Sequence, residues 1–457
     1  MFLETVKSEG LAHLSYILGG GGEAIVVDPR RDCAVYMEIA HARGVRIVHI
    51  LETHRNEDLV SGAPVLAGMT GATVHHGPNP EAPIAWARTI RDGEAVEAGP
   101  LRLRAIETPG HTYDHMAYAI EDRDSPQGHV GVFTGDALFV GDVGRTDFYP
   151  EEAEKVAGLL FDSLQKLLAL GDQAIIYPAH GAGSVCGSGM ADREFSTIGH
   201  ERLNNPRLQL DRAAFIRAKT GEHHQYPPYF RAMERINIAG AADSGPAGTP
   251  APCTAAAVAA HDGPVVDVRP VNAFQGAHWP GSLCLPVGML SAFAGWYLEE
   301  GTEILLVADD GGQAAEAARR LGRIGFDRVA GYFDGLVPAT AGGHPFGHLP
   351  VVSAAEVARR RRRNAGDWTL LDVRDIDEWT DGHVPGAVHA YVGRLPEAAE
   401  RLDPERRITT MCASGARATV AAGWLKANGF GDVDVFLGSM GAWRSREGEV
   451  ESGPDGG

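Results

Sequence analysis

The chain has 457 residues, 44% of them hydrophobic and 22% charged, with a formal net charge of −19. That length divides into about three domains of ~150 residues, each able to bury a core, and so acidic a balance argues against nucleic acid or anionic membrane as partners. Five cysteines, odd in number and without framework spacing, suit a reducing cytosol rather than a disulfide scaffold.

The chain contains no run of 18 apolar residues, hence no membrane span. Residues 1–10 carry Glu4, Lys7 and Glu9 and do not read as a secretory signal, so a cytoplasmic protein is expected. Gly19 to Gly22 lie between two apolar runs. A phosphate cradle needs a helix to follow, and a strand follows here, so this stretch reads as a hairpin turn. Residues 33–43 have the pattern of an amphipathic helix, with Cys33 as a small core residue.

The run Arg46-Ile47-Val48-His49-Ile50-Leu51-Glu52 reads as a buried strand, and the polar turn Thr53-His54-Arg55-Asn56-Glu57-Asp58-Leu59 follows it. Three more apolar runs end in the same way. Residues 103–106 lead to Thr108-Pro109-Gly110-His111, 130–133 lead to Thr134-Gly135-Asp136, and 174–177 lead to Pro178-Ala179-His180. Polar residues at strand ends are where α/β proteins build their sites. Residues 151–170 form a helix whose apolar face is Leu160, Leu164, Leu167 and Leu168. Closing helices are expected at 192–205, 211–219 and 229–238, with no strand among them.

Residues 239–252 have the Ala/Gly/Pro/Ser composition of a linker. Beyond it the sequence repeats. Val266-Asp267-Val268-Arg269 returns as Leu371-Asp372-Val373-Arg374, and His278-Trp279-Pro280-Gly281 as His383-Val384-Pro385-Gly386, both offset by 105 positions. So long a period means two copies of one domain, each a small parallel α/β sheet. In the second copy Cys412-Ala413-Ser414-Gly415-Ala416-Arg417 joins a strand to a helix, a place where converging N–H groups favour a thiolate. Toward the end the offset is 104, which puts Ala308 at the cysteine's position in the first copy and Gln313 at the arginine's, so no sulfur chemistry starts there. Cys253 and Cys284 read as structural. The run from Arg359 to Arg363 reads as the solvated end of a helix.

The ordered junctions at His54 and Asp58, His111, Asp136 and His180 resemble the metallo-β-lactamase superfamily. Of its first signature, H-x-H-x-D-H, only His54 and Asp58 remain, with Asn56 and Leu59 in place of the other histidines. The repeated half, with D-V-R, G-H-x-P-G-A and C-x-x-G-x-R in order, resembles rhodanese-type sulfurtransferases. Together they resemble a persulfide dioxygenase fused to rhodanese domains, over the whole chain. The fold this implies is α/β: a metallo-β-lactamase αββα sandwich in 1–238, the linker, an inactive rhodanese-like domain in 253–345, an active one in 350–447 and a flexible tail in 448–457.

The resemblance implies one Fe(II) per chain on His54, His111 and Asp136, two imidazoles and a carboxylate on one face of an octahedral ion; zinc is the alternative metal. Asp58, His115 and His180 then become orienting or substrate-facing groups. Arg145 either binds a substrate carboxylate or pairs with Asp147. Cys186 either holds a persulfide near the metal or is a buried structural thiol. Cys412 is the sulfur-bearing nucleophile, Arg417 adds charge or braces its loop, and Ala413, Ser414, Gly415 and Ala416 surround the sulfur anion. The implied activity is oxidation of a small thiol persulfide by O2 to sulfite and thiol, coupled to exchange with sulfite and thiosulfate at Cys412. Two other readings stay open, a binuclear zinc thioester hydrolase of the glyoxalase II type and a non-oxidative sulfur carrier. The carrier thiol, the direction of transfer and a homo-oligomeric state are left open.

Overall fold

The computed structural model describes residues 1–124, 129–184, 189–193, 195–241, 243, 245, 248–363, 366–446 and 448–453. It divides into two compact units, Met1–Gly245 with Gly322–Gly325, and Pro246–Leu321 with Phe326–Gly457. No helix among the described residues is long and apolar enough to cross a membrane.

The first unit is built on two six-stranded sheets. One runs in chain order from Phe2–Ser8 through His13–Gly20, Glu23–Val27, Arg46–Leu51 and Thr73–His76 to Arg88–Thr89. The other runs from Ala95–Ala98 through Leu101–Glu107, Met116–Asp122, His129–Gly135 and Ile175–Pro178 to Ser196–Thr197. Successive side chains on a strand face opposite ways, and the apolar residues here alternate accordingly. Leu18, Ile25, Val27 and Leu51 join Leu101, Leu103, Tyr118 and Phe133 in a core between the sheets. Their neighbours Ile17, Val26 and Ile50 point outward, onto Tyr36, Ala40, Ala63 and Leu66 of helices Ala34–Arg43 and Ala63–Thr70. On the far face, Leu160, Leu164, Leu167 and Leu168 of helix Ala153–Leu168 and Phe215 of helix Arg212–Thr220 cover Ala117, Ala119, Val132 and Ile176. The layers are therefore helix, sheet, sheet, helix, the αββα sandwich.

One expectation fails. The helix expected at 192–205 spans only Ile198–Asn204, because Ser196–Thr197 first pairs antiparallel with Ile175 and Ile176 as the edge strand. Two residues are too short for a hydrophobic alternation to reveal.

Two parallel strands bring His49 and His75 together, Nδ1 to Nε2 at 3.1 Å with the ring planes tilted. Burial, followed by the neighbouring His49, pushes the His75 pKa down to about 4. An unfolded histidine titrates near 6.5, so below that pH the unfolded chain takes up a proton that the folded chain refuses, and stability falls. Between pH 7 and pH 5 the loss is about 2 kcal/mol. It should appear as a falling urea midpoint in metal-free protein, and His75→Gln should flatten that slope.

The second unit holds two parallel sheets. The first copy orders its strands Leu283–Cys284, Val265–Asp267, Ile304–Val307, Val329–Phe333. The second orders Val351–Val352, Val433–Phe436, Arg407–Met411, Trp368–Asp372, Val388–His389. The repeated motifs do the same mechanical work in both. Arg269 grips Asp267 through two nitrogens and donates to the Ala277 carbonyl, while Arg374 grips Asp372 and donates to that of Gly382. His278 stacks on Phe274 and His383 on Trp379, with ring centroids 3.9 and 3.6 Å apart. The D-V-R and G-H-x-P-G-A motifs thus frame the fold.

Helix Ala416–Ala427 of the second copy is buried on nearly every side, at Ala418, Thr419, Val420, Ala421, Ala422, Gly423 and Leu425. A helix apolar all round needs cover from two directions, and the first copy provides one of them. A Cβ on Gly423 would stand 3.1 Å from Cys284 Cβ and from the Phe274 ring. The stretch from 448 also departs from expectation. His383 exchanges two backbone hydrogen bonds with Glu451, and Trp443 Nε1 donates to the Glu449 carbonyl, so this part of the tail is fastened.

Candidate metal centre and cysteine loop

Four strand ends converge at one edge of the sandwich. Strand Arg46–Leu51 leads to His54, Leu101–Glu107 to His111, His129–Gly135 to Asp136 and Ile175–Pro178 to His180. His54, His111 and Asp136 are all buried, and one ligand atom from each lies within 4.8 Å of the others. No second group of three or more metal-ligating side chains occurs among the described residues. Asp136 Oδ2 is 3.9 Å from His54 Nε2 and 3.5 Å from His111 Nε2. Gly135 makes the delivery of Asp136 possible. Its φ is +52°, and a Cβ there would lie 2.4 Å from His115 Nε2, so no side chain fits.

Each donor is held by a partner behind it. Thr53 Oγ1 donates to Asp28 Oδ2 at 2.8 Å and therefore accepts from His54 Nδ1 at 2.9 Å, leaving the His54 Nε2 lone pair facing inward. His111 Nδ1 donates to the Arg145 carbonyl at 3.0 Å, with the same result. His180 Nδ1 donates to Asp136 at 2.8 Å, and its Nε2 faces Asp58 Oδ2 at 3.0 Å. His115 Nε2 accepts the Asp136 N–H at 2.9 Å, so its Nδ1 donates to Thr108. Burial holds the His115 ring neutral, its pKa pushed down to about 3. Asp58, His115 and His180 thus orient Asp136 and its surroundings. Such outer partners are worth 10–100-fold in metal affinity. Thr53→Val should therefore weaken divalent-metal binding by about 10–100-fold, as read by competition with a chromophoric chelator.

The donors present fit a divalent ion. His111 Nε2 is buried without a hydrogen-bond partner. Burial alone would keep His111 neutral, but Glu57 and Asp136 outweigh it and raise its pKa. Burial opposes the charge on Asp136 too, yet His180, His111 and His54 hold its pKa far below the carboxylate range. The pocket's field draws positive charge. Asn56, which stands at the second histidine of the superfamily signature, turns its Nδ2 toward Glu52 Oε2 at 3.5 Å and the His54 carbonyl at 3.4 Å. Leu59 offers only buried hydrocarbon.

Arg145 is buried, with its guanidinium clasping Asp147 at 2.6 Å and lying over the Phe148 ring, which meets His111 edge-on. Its carbonyl, not its charge, is what touches His111. Cys186 lies outside the described residues. Thr53, Asp28 and Glu57 went unassigned in the sequence reading. Thr53 and Asp28 carry a signal only in hindsight, a hydroxyl beside a histidine of the candidate site and a carboxylate just after the preceding strand.

In the second unit, Cys412 is buried where strand Arg407–Met411 meets helix Ala416–Ala427. Its Sγ accepts the Gly415 N–H at 3.1 Å, and its own N–H donates to Ser439 Oγ at 3.0 Å. Gly415 has φ +122°, which lets the loop curl over the sulfur. The loop's carbonyls are engaged as well, Ala413 by the Gly441 N–H and Ser414 by the Gly438 N–H. Arg417 makes two hydrogen bonds to Glu378, at 2.5 and 2.8 Å, so its guanidinium braces the loop from the side. A relay reaches the loop from the first copy. Gln275 Nε2 donates to Thr419 Oγ1 at 2.7 Å, and Thr419 donates to the Gly415 carbonyl at 2.8 Å. In that first copy the equivalent turn is closed on itself. The Gln313 side chain takes the Asp309 N–H and Asp310 takes the Gln313 N–H.

A family model described as Metallo-beta-lactamase superfamily matches residues 9–180, and one described as Rhodanese-like domain matches 254–337 and 353–446. The chain is similar to Persulfide dioxygenase ETHE1, mitochondrial, of Bos taurus, at 30% identity over 212 residues covering 44% of this chain and 74% of that protein. It is also similar to hydroxyacylglutathione hydrolase of Methylobacterium nodulans, at 32% identity over 216 residues covering 47% of this chain and 80% of that one. Among solved structures, a metallo-beta-lactamase from Staphylococcus aureus subsp. aureus COL matches with a TM-score of 0.66 and 28% identity, over 73% of this chain and 98% of that one.

Proposed function

Because this chain belongs to the metallo-β-lactamase superfamily and carries two rhodanese-like domains, we propose that it oxidises the persulfide of a small thiol with O2 and moves sulfane sulfur through Cys412. The observation that carries this reading is the donor set. Two inward-facing imidazoles and one carboxylate converge on a point, while Asn56 and Leu59 stand where a binuclear zinc hydrolase needs nitrogen. The reaction balances as RSSH + O2 + H2O giving RSH, sulfite and two protons. Fe(II), when bound, supplies the one-electron path between O2 and sulfur that side chains lack.

The protein's own groups do the positioning. Thr53 and the Arg145 carbonyl fix the tautomers of His54 and His111, and His180 with His115 fixes Asp136. Phe148 gives the His111 side an apolar wall. At the second site, the Cys412 thiolate attacks the sulfane sulfur of a persulfide or of thiosulfate. The S–S bond breaks, thiol or sulfite leaves with the electron pair, and the enzyme persulfide is held by the Gly415 N–H until an acceptor thiol or sulfite takes the sulfur.

Protein purified without oxygen and loaded with Fe(II) tests this in an oxygen-electrode cell, with the persulfides of glutathione and of coenzyme A as substrates. The expected result is one O2 consumed and one sulfite formed per persulfide. Thioester hydrolysis with two zincs per chain and no O2 uptake would establish the hydrolase reading, which the Methylobacterium relative favours. Sulfur exchange with neither activity would leave a carrier.

A further inference from the structure

We propose that the cysteine-bearing copy has a second binding site, for a nucleoside polyphosphate, in an arginine-lined cleft at the end of its sheet opposite Cys412. The cleft has a volume of about 460 Å³ and is lined by Arg361, Arg362, Arg406, Trp368, Leu370 and Pro385. Arg361 and Arg362 lie in the last turn of helix Ala354–Arg363, while Trp368 and Arg406 stand where strands Trp368–Asp372 and Arg407–Met411 begin. Cys412 follows the other end of the latter strand. The cleft is therefore no part of the sulfur site.

The five consecutive arginines read from the sequence as one solvated helix end, and the structure divides them. Arg359 and Arg360 pair with Glu356, and Arg360 also with Asp434. They line a neighbouring cleft in which Glu356, Asp367, Glu405 and Asp432 balance the guanidinium groups. No carboxylate lines the first cleft among the described residues. Arg361 is fixed there by the Pro385 carbonyl at 3.0 Å, and its ion pair is with Glu449, whose side chain is 68% exposed, a weak partner. Arg406 Nε is buried without a hydrogen-bond partner, and neither Arg406 nor Arg362 has an ion pair among the described residues. A buried donor needs an acceptor, and phosphate meets guanidinium through paired hydrogen bonds.

The indole is a feature that a bare anion does not need. Its Nε1 donates to Thr409 Oγ1 at 2.8 Å, which fixes the ring beside the three arginines. Flat bases stack on such rings, and Leu370 and Pro385 extend the apolar side. The volume is that of a small-molecule pocket; sulfite or thiosulfate would leave most of it unused. A nucleic-acid strand would meet the chain's net charge of −19. A single nucleotide with two or three phosphates matches charge, volume and ring together.

Equilibrium dialysis of the full-length protein against labelled ADP tests the site, with adenosine and inorganic pyrophosphate as competing half-ligands. The expected result is one ADP per chain, held more tightly than either half. Arg406→Gln and Arg362→Gln should each weaken it by at least about 10-fold, the loss of one charge-assisted contact. Arg359→Gln, in the balanced cleft, should change little. Circular dichroism shows that each variant is folded. No binding at millimolar ADP, or undiminished affinity in Arg406→Gln and Arg362→Gln, would overturn the site. So would an equal loss in Arg359→Gln, which would reduce the effect to general charge. Pyrophosphate competing as well as unlabelled ADP would make this a bare anion site, and a single-stranded oligonucleotide competing better would make it a polymer site; either result overturns the nucleotide assignment. The sulfur chemistry proposed above is tested separately, at Cys412.

Discussion

Cys412→Ser is expected to abolish sulfur exchange from thiosulfate to a thiol acceptor, with any residual rate at least about 10³-fold down. The step needs a polarisable anion that both attacks sulfur and leaves from it. A serine hydroxyl at neutral pH is neither ionised nor able to form the enzyme persulfide. Its oxygen could still take the Gly415 N–H that now reaches Sγ at 3.1 Å, so the loop has no reason to collapse. Intact-protein mass spectrometry after incubation with thiosulfate gives a second readout. The unsubstituted chain should gain the mass of one sulfur atom and the variant none. A variant that kept its exchange activity would move the sulfur chemistry to another cysteine.

His111→Ala should cost the protein nearly all its bound metal, and under the proposed activity persulfide-dependent O2 uptake should fall at least about 10³-fold. A partner that merely orients a ligand is worth 10–100-fold in affinity, so losing the ligand itself must exceed the effect of Thr53→Val. Metal analysis after gel filtration checks the first statement, and the oxygen electrode the second. The ordering matters more than either number. If Thr53→Val were the more damaging change, His111 would be an ordinary buried histidine and the site would lie elsewhere.

Much of this architecture was legible because local pattern and tertiary role coincide. The strand-then-polar junctions at His54, His111, Asp136 and His180 are local events, an apolar run followed by a polar turn, and the structure brings all four together. The 105-residue offset was equally plain, since Asp267 with Arg269 and Asp372 with Arg374 build identical clasps. What escaped depends on contacts that no window of sequence contains. Thr53 matters because Asp28, just past the end of a neighbouring strand, aims its hydroxyl. Glu57 looked like one more polar loop residue, and only the approach of the His111 loop gives it a neighbour. Arg145 pairs with Asp147, one of its two expected roles, but the contact of its carbonyl with His111 is one that no reading of side chains reaches. Strand Ser196–Thr197 escaped because two residues carry no periodicity.

The first rhodanese-like copy has no thiol in its turn, yet it cannot be cut away harmlessly. Its Phe274 and Cys284 wall one side of the helix that begins just after Cys412, and its Gln275 starts the relay that ends on the Gly415 carbonyl. Excising that copy would strip an apolar flank bare and loosen the peptide whose N–H cradles the sulfur. The copy without a thiol thus serves as a splint for the cysteine loop beside it.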